Sequence, residues 1–365
     1  MKNEFDDLRI LFINEIDVFK VGNSESTTIL SMFGEEVVKN SLSMQILDKH
    51  HIKITENGNV SELHPRRGGT INSIVKKYNP DVIYTMSSSL RFLITVLKIK
   101  IQCKVPVLMH YYDNWRECGR QKLKNIILYF LEDKKHGALV ISDDMKEAYE
   151  KKYKRPYHTY MALNQFEKKE AIGYFSDGKR HVIYAGGLHL ERYKMLLKTQ
   201  EELRKRDNFV LDIFTLDSYI NKYDSMFDST ITSFHPSVER ATLIRIYQEA
   251  DVLLHVENVN QENSEFIRYS MTTKIPEYLS SNKPVVCFSK QGTASYNFLK
   301  KYNAALFAEN EQQLSDVFEK IEKYSNEVSQ TVNNGSIAYA EHFDIEKKRK
   351  ELSELIKSIC VGKCR

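Results

Sequence analysis

In RYSMTTKIPEYLSSNKPVVCF (Arg268 to Phe288) a cation, a proline and a carboxylate crowd the start of a short helical pattern: Lys274, Pro276 and Glu277. Thr272 and Thr273 suit a helix N-cap. Pro276 is tolerated in a first turn, where its missing N–H has no intrahelical partner, and Asn282-Lys283-Pro284 ends the helix. A helix start exposes unpaired N–H groups and a partial positive charge, so it suits a phosphate. Lys274 adds a full charge, and Glu277, one turn in, offers two acceptor oxygens to a pair of sugar hydroxyls. A diphosphate joined to a ribose diol fits this arrangement. The plainer alternative is a capped surface helix with a solvated lysine and glutamate.

YAGGLHLERYKMLL (Tyr184 to Leu197) is the second such stretch. Gly186-Gly187 ends a strand-like run and lets a backbone approach a ligand closely. Arg192 follows near the start of the next helix, and a planar guanidinium suits phosphate oxygens. Its alternative is a salt bridge with a neighbouring acid.

The elements that must hold these residues read as alternating strands and helices. LRILFI (Leu8 to Ile13), NPDVIYT (Asn79 to Thr85), VPVLMHYYD (Val105 to Asp113) and GALVIS (Gly137 to Ser142) are apolar runs separated by helical patterns, among them STTILSMFGEEVVKN. This is the βαβ rhythm of a parallel sheet. Leu163 to Arg180 is polar and weakly periodic, as expected of a linker. The rhythm then restarts with HVIYAGG, a helix through Lys205, FVLDIFT, SFHPS, a helix ending near Ala250, DVLLHVE, the opening stretch, PVVCFS and AALFA. The fold class is therefore α/β, with two Rossmann-like domains at 1–165 and 175–340. A charged amphipathic helix within 341–365 is expected to pack back on the first domain. Such a pair of domains commonly takes a ligand in the cleft between parallel sheets, at the C-terminal strand ends.

Bulk properties exclude several classes. The chain has 365 residues, 42% hydrophobic and 28% charged, as expected of a globular protein of two domains. No apolar run is long enough to span a bilayer, and the acidic N-terminus does not look like a signal peptide. The five cysteines (Cys103, Cys118, Cys287, Cys360, Cys364) show neither CxxC pairing nor zinc-site spacing, which suits reduced thiols in a cytoplasm. A net charge of +4 without a basic-aromatic stripe argues against nucleic acid. Only Gly22 follows the first strand, so no dinucleotide fingerprint is present and a dehydrogenase is disfavoured. Ser89 to Lys104 and Gly119 to Gly137 are both basic and apolar. They read as amphipathic helices packed on a sheet, or as faces near an anionic membrane. Asp143-Asp144 is read as capping the helix that follows, rather than as a metal site.

YAGGLHLERYKMLL, FHPSVERATLIRIYQEADVLLHVE and RYSMTTKIPEYLSSNKPVVCF together resemble the GT-B-fold glycosyltransferases, in particular the bacterial retaining enzymes of surface-polysaccharide synthesis. The resemblance is specific over Tyr184 to Phe288. It is looser but collinear over Arg9 to Asn164, where MHYYDNW and VISDDMKEAYEKKY follow the family's style. It implies a nucleotide-sugar donor, with Glu277 on the ribose and Arg192 and Lys274 neutralising the diphosphate. The backbone of Ser270 to Thr273 would meet the phosphates and donor sugar. Many relatives carry a first glutamate eight positions before the ribose-binding one, where this chain has Tyr269, and an arginine where Gly187 stands. Glu257 and Glu265 are the candidates to replace that carboxylate.

The resemblance places a saccharide or lipid-linked acceptor on the first domain. VGNSEST (Val21 to Thr27), with Asn23 and Ser24, would face it, unless Ser24 or Ser26 serves only as a helix cap. In MHYYDNW, His110 or Asp113 would position an acceptor hydroxyl and Trp115 would contact the sugar. The alternative is a core histidine and a turn-capping aspartate. No metal or other cofactor is expected. The readings weighed against transfer are a non-catalytic nucleotide-sugar-binding scaffold and a sugar-nucleotide epimerase.

Overall fold

A computed structural model describes residues 4–19, 24–47, 51–63, 69–86, 89–117, 121–161, 172–260 and 264–360. The chain forms two compact units. The first is Met1–Gln165 with Tyr269–Met271 and Asp344–Arg365, and the second is Phe166–Arg268 with Thr272–Phe343.

The first unit opens with β1 (Ile10–Asn14), α1 (Ser24–Phe33) and α2 (Glu35–Asn40). The helical pattern of residues 26–40 breaks at Gly34, whose φ of 89° an L side chain rarely adopts. Next come β2 (Leu42–Ile46), β3 (Ile52–Glu56), β4 (Asn59–Leu63), α3 (Gly69–Tyr78), β5 (Val82–Thr85), α4 (Leu90–Cys103) and β6 (Val107–Tyr111). The series ends with α5 (Gln121–Leu131), β7 (Ala138–Val140), α6 (Asp143–Tyr153) and β8 (Tyr157–Thr159). The sheet order is β4-β3-β2-β1-β5-β6-β7-β8. Pairs from β2 through β8 are parallel, while β2-β3 and β3-β4 are antiparallel. The β3-β4 hairpin is an element that the apolar-run reading passes over. Its turn is Asn57-Gly58, both at positive φ, the two-residue signal for such a hairpin. Because β4 is exposed on both faces, it carries no apolar run to notice.

The second unit contains β9 (Arg180–Ala185), α7 (Arg192–Leu203), β10 (Phe209–Thr215), α8 (Asp217–Tyr223), β11 (Thr232–Pro236), α9 (Arg240–Glu249) and β12 (Val252–Glu257). It continues through α10 (Ser264–Arg268), α11 (Lys274–Ser280), β13 (Val285–Ser289), α12 (Ala294–Lys301), β14 (Leu306–Ala308), α13 (Glu311–Glu322) and α14 (Asn326–His342). Its sheet is all parallel in the order β11-β10-β9-β12-β13-β14. This is the doubly wound order, and it reverses between β9 and β12. The strands are buried along their length, and Val182, Tyr184, Leu211, Leu254 and Phe288 lie in one core with Leu196 and Phe318 from the helices.

The last helix, α15 (Ile345–Cys360), belongs to the first unit. Arg349 donates twice to the Ser31 carbonyl of α1, at 3.0 and 2.8 Å, and Ser353 Oγ donates to the Glu4 carbonyl at 2.6 Å. Leu352 and Ile356 are fully buried beneath those contacts.

Candidate functional site

The reversal between β9 and β12 puts their C-terminal ends side by side, and the chain's phosphate-suited residues gather there. β9 runs out into Gly186, whose φ of 143° favours glycine. The space a side chain would take there is filled by Lys274: a Cβ on Gly186 would lie 2.1 Å from its Nζ. Lys274 is the first residue of α11, and its ammonium also sits 4.9 Å from the centroid of the Tyr184 ring. Among the described residues no hydrogen bond or ion pair takes that ammonium. Burial first, then the neighbouring Arg192 charge, lowers its pKa from the usual lysine value to about 8.

Arg192 begins α7 and turns to the end of β12. Its Nε donates to Glu257 Oε2 at 3.0 Å and its Nη2 to Glu257 Oε1 at 2.9 Å, a bidentate pair. Nη1 meets His189 Nε2 at 3.1 Å. The salt-bridge alternative for Arg192 is thus what the structure shows, and its partner is one of the two candidates for the first glutamate. Glu265, the other candidate, is exposed on α10. Leu190 and Glu191, immediately before Arg192, both have positive φ, so the loop that presents the guanidinium is held in a left-handed conformation. His255, two residues before Glu257, is buried with no partner for Nε2, and burial pushes its pKa down to about 3.

Glu277 lies in the first turn of α11 and is 9% exposed. Its Oε1 accepts from Arg240 Nε at 2.9 Å, where Arg240 opens α9. Arg240 is a site residue that sequence reasoning missed. The signal available was a lone arginine at a helix start, and nothing local marks its pairing with a glutamate 37 positions away. The threonine caps are corrected: Thr273 occupies the N-cap position of α11 without a side-chain cap bond, and Thr272 donates its N–H to Ser295 Oγ at 3.1 Å. Pro276 is buried in the first turn as expected. Gly187 accepts from the Tyr184 hydroxyl through its carbonyl at 2.8 Å. Ser270 falls in the 269–271 stretch that clusters with the first unit.

In the first unit, His110 is corrected to a core residue. It is 0% exposed, Tyr84 Oη donates to its Nδ1 at 2.7 Å, and its Nε2 donates to the Tyr160 carbonyl at 3.0 Å. Both ring nitrogens are engaged, and burial lowers the pKa to about 4, so the ring is neutral and offers no atom to a substrate hydroxyl. The same strand end carries Asp113, which is half-buried. Trp115 packs its ring on Tyr111 at 5.0 Å, with Lys124 Nζ 5.6 Å from the indole. Ser24 begins α1, and Asn23 lies outside the described residues. The cap of α6 is Ser142, whose Oγ accepts from Met145 N at 3.1 Å. Asp143 and Asp144 are the first two helical residues, not the cap. Among the described residues no group of three His, Cys, Asp or Glu could hold a metal ion, and no helix is long and apolar enough to cross a membrane.

No protein-family model and no curated protein matches the chain. Solved structures do. Anabaena HepE in complex with UDP aligns with a TM-score of 0.68 at 11% identity, covering 96% of this chain and 100% of that one. A glycosyltransferase from Rickettsia africae ESF-5 aligns with a TM-score of 0.67 at 10% identity over 96% and 98% of the two chains. Sucrose-phosphate synthase from Thermosynechococcus elongatus gives 0.67 at 10% identity over 97% and 100%. The chain therefore has the GT-B fold of these glycosyltransferases.

Proposed function

We propose that the protein transfers a sugar from a nucleotide-sugar donor to a saccharide or lipid-linked saccharide acceptor, with retention of anomeric configuration, in surface-glycan synthesis. The observation that carries this reading is the meeting of Lys274 and Arg192 beside Gly186 at the β9/β12 reversal, a place built for an anionic ligand. Breaking a glycosyl–phosphate bond builds negative charge on the leaving nucleoside diphosphate. Lys274 and Arg192 stabilise that charge, with no metal ion required. Glu277, steadied by Arg240, receives the ribose diol. HepE, of the same fold, is described with UDP and with UDP-glucose, which makes a uridine nucleotide the first probe. In the retaining reaction the acceptor attacks from the face the phosphate leaves, and a phosphate oxygen takes its proton.

The deciding experiment is a thermal shift against UDP-, GDP-, ADP- and TDP-sugars with wild type and Glu277→Gln. One nucleotide family raises the wild-type Tm, by about 2.7 kcal/mol of added stability at a hundred times Kd, and the variant responds weakly. The absence of a shift with every nucleotide sinks the reading. An NMR product spectrum showing inversion removes retention alone.

Location at the inner face of an anionic membrane is part of the same proposal. Leu123, Ile126, Tyr129 and Phe130 of α5 are exposed, with Lys122 and Lys124 on the same helix and Lys134 and Lys135 just past it. Flotation with anionic vesicles at low salt tests it, and no binding there removes it.

A further inference from the structure

Two consecutive glycines follow β9, and a basic head fills the space each leaves. The Cβ that Gly186 lacks would meet Lys274, and the one that Gly187 lacks would lie 2.5 Å from Nδ1 and 2.8 Å from Cε1 of His189. Gly187 has no positive φ to demand a glycine, so what excludes a side chain there is the imidazole. His189 lies in the exposed turn between β9 and α7. Consecutive Cα atoms are about 3.8 Å apart, so the ammonium and the imidazole stand at neighbouring points of one strand end.

Hydrogen bonding fixes where the proton of that ring sits. Arg192 Nη1 is 3.1 Å from His189 Nε2, and a guanidinium can only donate, so Nε2 is the bare acceptor and Nδ1 carries the hydrogen. Nδ1 faces Tyr219 Oη at 3.4 Å, longer than a good hydrogen bond. The groups around the ring are Arg192 of α7, Lys274 of α11 and Tyr219 of α8. The nearby carboxylates are engaged by other groups. Glu257 of β12 takes Arg192, and Glu191 in the same turn takes Lys194 and, at 3.2 Å each, the amides of Asn258 and Asn260. Burial first, then the charges of Arg192 and Lys274, lowers the His189 pKa. A proton on Nε2 would meet the guanidinium donor to donor.

An anion reverses that balance. An oxygen that accepts from Arg192 Nη1 releases His189 Nε2, which can then take a proton from solvent and donate to the same anion. We propose that His189 is a third ligand of the donor diphosphate beside Arg192 and Lys274, neutral while it accepts from Arg192 and protonated once the diphosphate takes that hydrogen bond over, so that donor binding takes up a proton. The inference rests on the donor reading above and adds to it a residue and a pH dependence. Only hydrogen bonds and one solvent proton change hands. The imidazolium adds a positive charge where the leaving diphosphate gathers negative charge, so it favours departure as well as binding.

The test is calorimetric titration of the full chain with UDP-, GDP-, ADP- and TDP-glucose at about pH 7 and about pH 5.5, a span that covers the histidine range and lies below that of Lys274. The diphosphate of such a ligand is a diester with no proton to gain in that span. Wild type is expected to bind one of the four roughly threefold or more tightly at the lower pH, and to take up a fraction of a proton, read from buffers of different ionisation heat. His189→Gln, in an exposed turn, is expected to keep the wild-type circular dichroism, to bind that ligand with a flat profile and to take up no proton. A flat wild-type profile, or the same slope and uptake in His189→Gln, overturns the proposal. If none of the four binds at either pH, the donor reading falls, and the His189 ring is followed by NMR with sulfate, which stays doubly charged throughout. A ring pKa raised by sulfate keeps His189 as a proton-taking anion ligand, and an unmoved one overturns that role too.

Discussion

Arg192 and Glu257 are forked together at 2.9 to 3.0 Å across 65 residues of sequence, at the mouth of the second sheet. Both side chains are largely out of water, at 13% and 8% exposure. Removing one partner of such a pair strands the other's charge. Glu257→Ala is expected to lower stability in denaturant unfolding by about 3 kcal/mol. If Arg192 binds a diphosphate, UDP replaces the lost carboxylate, so the variant gains more from saturating UDP than wild type does. An equal gain in the two proteins would show that Arg192 does not reach the ligand.

Lys274 is held in the opposite way, as a cation with its pKa lowered to about 8. The folded state disfavours its proton relative to the unfolded chain. Its contribution is therefore complete above the ordinary lysine pKa and is lost as pH falls through about 8. Lys274→Met is expected to leave the unliganded Tm at neutral pH unchanged or higher, and to abolish stabilisation by UDP. Wild-type UDP affinity is expected to fall as pH rises through about 8, because the diphosphate binds the protonated form. Calorimetric titration from about pH 7 to about pH 9 reads both the affinity and the proton uptake.

Gly186→Ala tests whether that ammonium must stand where it does. The added methyl collides with Nζ and Cε of Lys274, at 2.1 and 2.7 Å, and the φ of 143° is unfavourable for alanine. The side chain can swing away, so the fold survives. The expected result is near-wild-type circular dichroism with at least tenfold weaker UDP binding. Unchanged binding would place the diphosphate elsewhere.

His110 supplies a prediction of stability rather than activity. Its folded pKa of about 4 lies below the unfolded value. Its contribution is complete above about pH 6.5 and is lost as pH falls toward 4, on the order of 3 kcal/mol in all. His110→Gln is expected to flatten that part of the stability-against-pH curve and to cost stability at neutral pH through the Tyr84 and Tyr160 contacts. A fall in kcat out of proportion to the folded fraction would return His110 to the chemistry.

Several elements were legible before the structure because one local pattern sufficed. LRILFI, FVLDIFT and DVLLHVE are runs of apolar residues, which only a strand covered on both faces needs, and each falls within a residue or two of β1, β10 and β12. Pro276 at the head of α11 and the glycines after β9 were equally local. The β3-β4 hairpin was signalled by Asn57-Gly58 but hidden by polar strands. Thr273 looked like a cap, yet its side chain makes no cap bond.

By itself, then, the sequence determined two alternating α/β blocks, where their strands run, and which residue types suit a phosphate. Hydrophobic periodicity and turn chemistry act over a few residues and are written into them. Which charges meet was decided only in three dimensions. Arg192 with Glu257, Arg240 with Glu277, Lys274 against Gly186, and the engagement of both His110 nitrogens join positions 26 to 88 apart. Partner choice and burial set the pKa of each group, and both follow from the order in which strands are laid into a sheet rather than from any neighbouring residue.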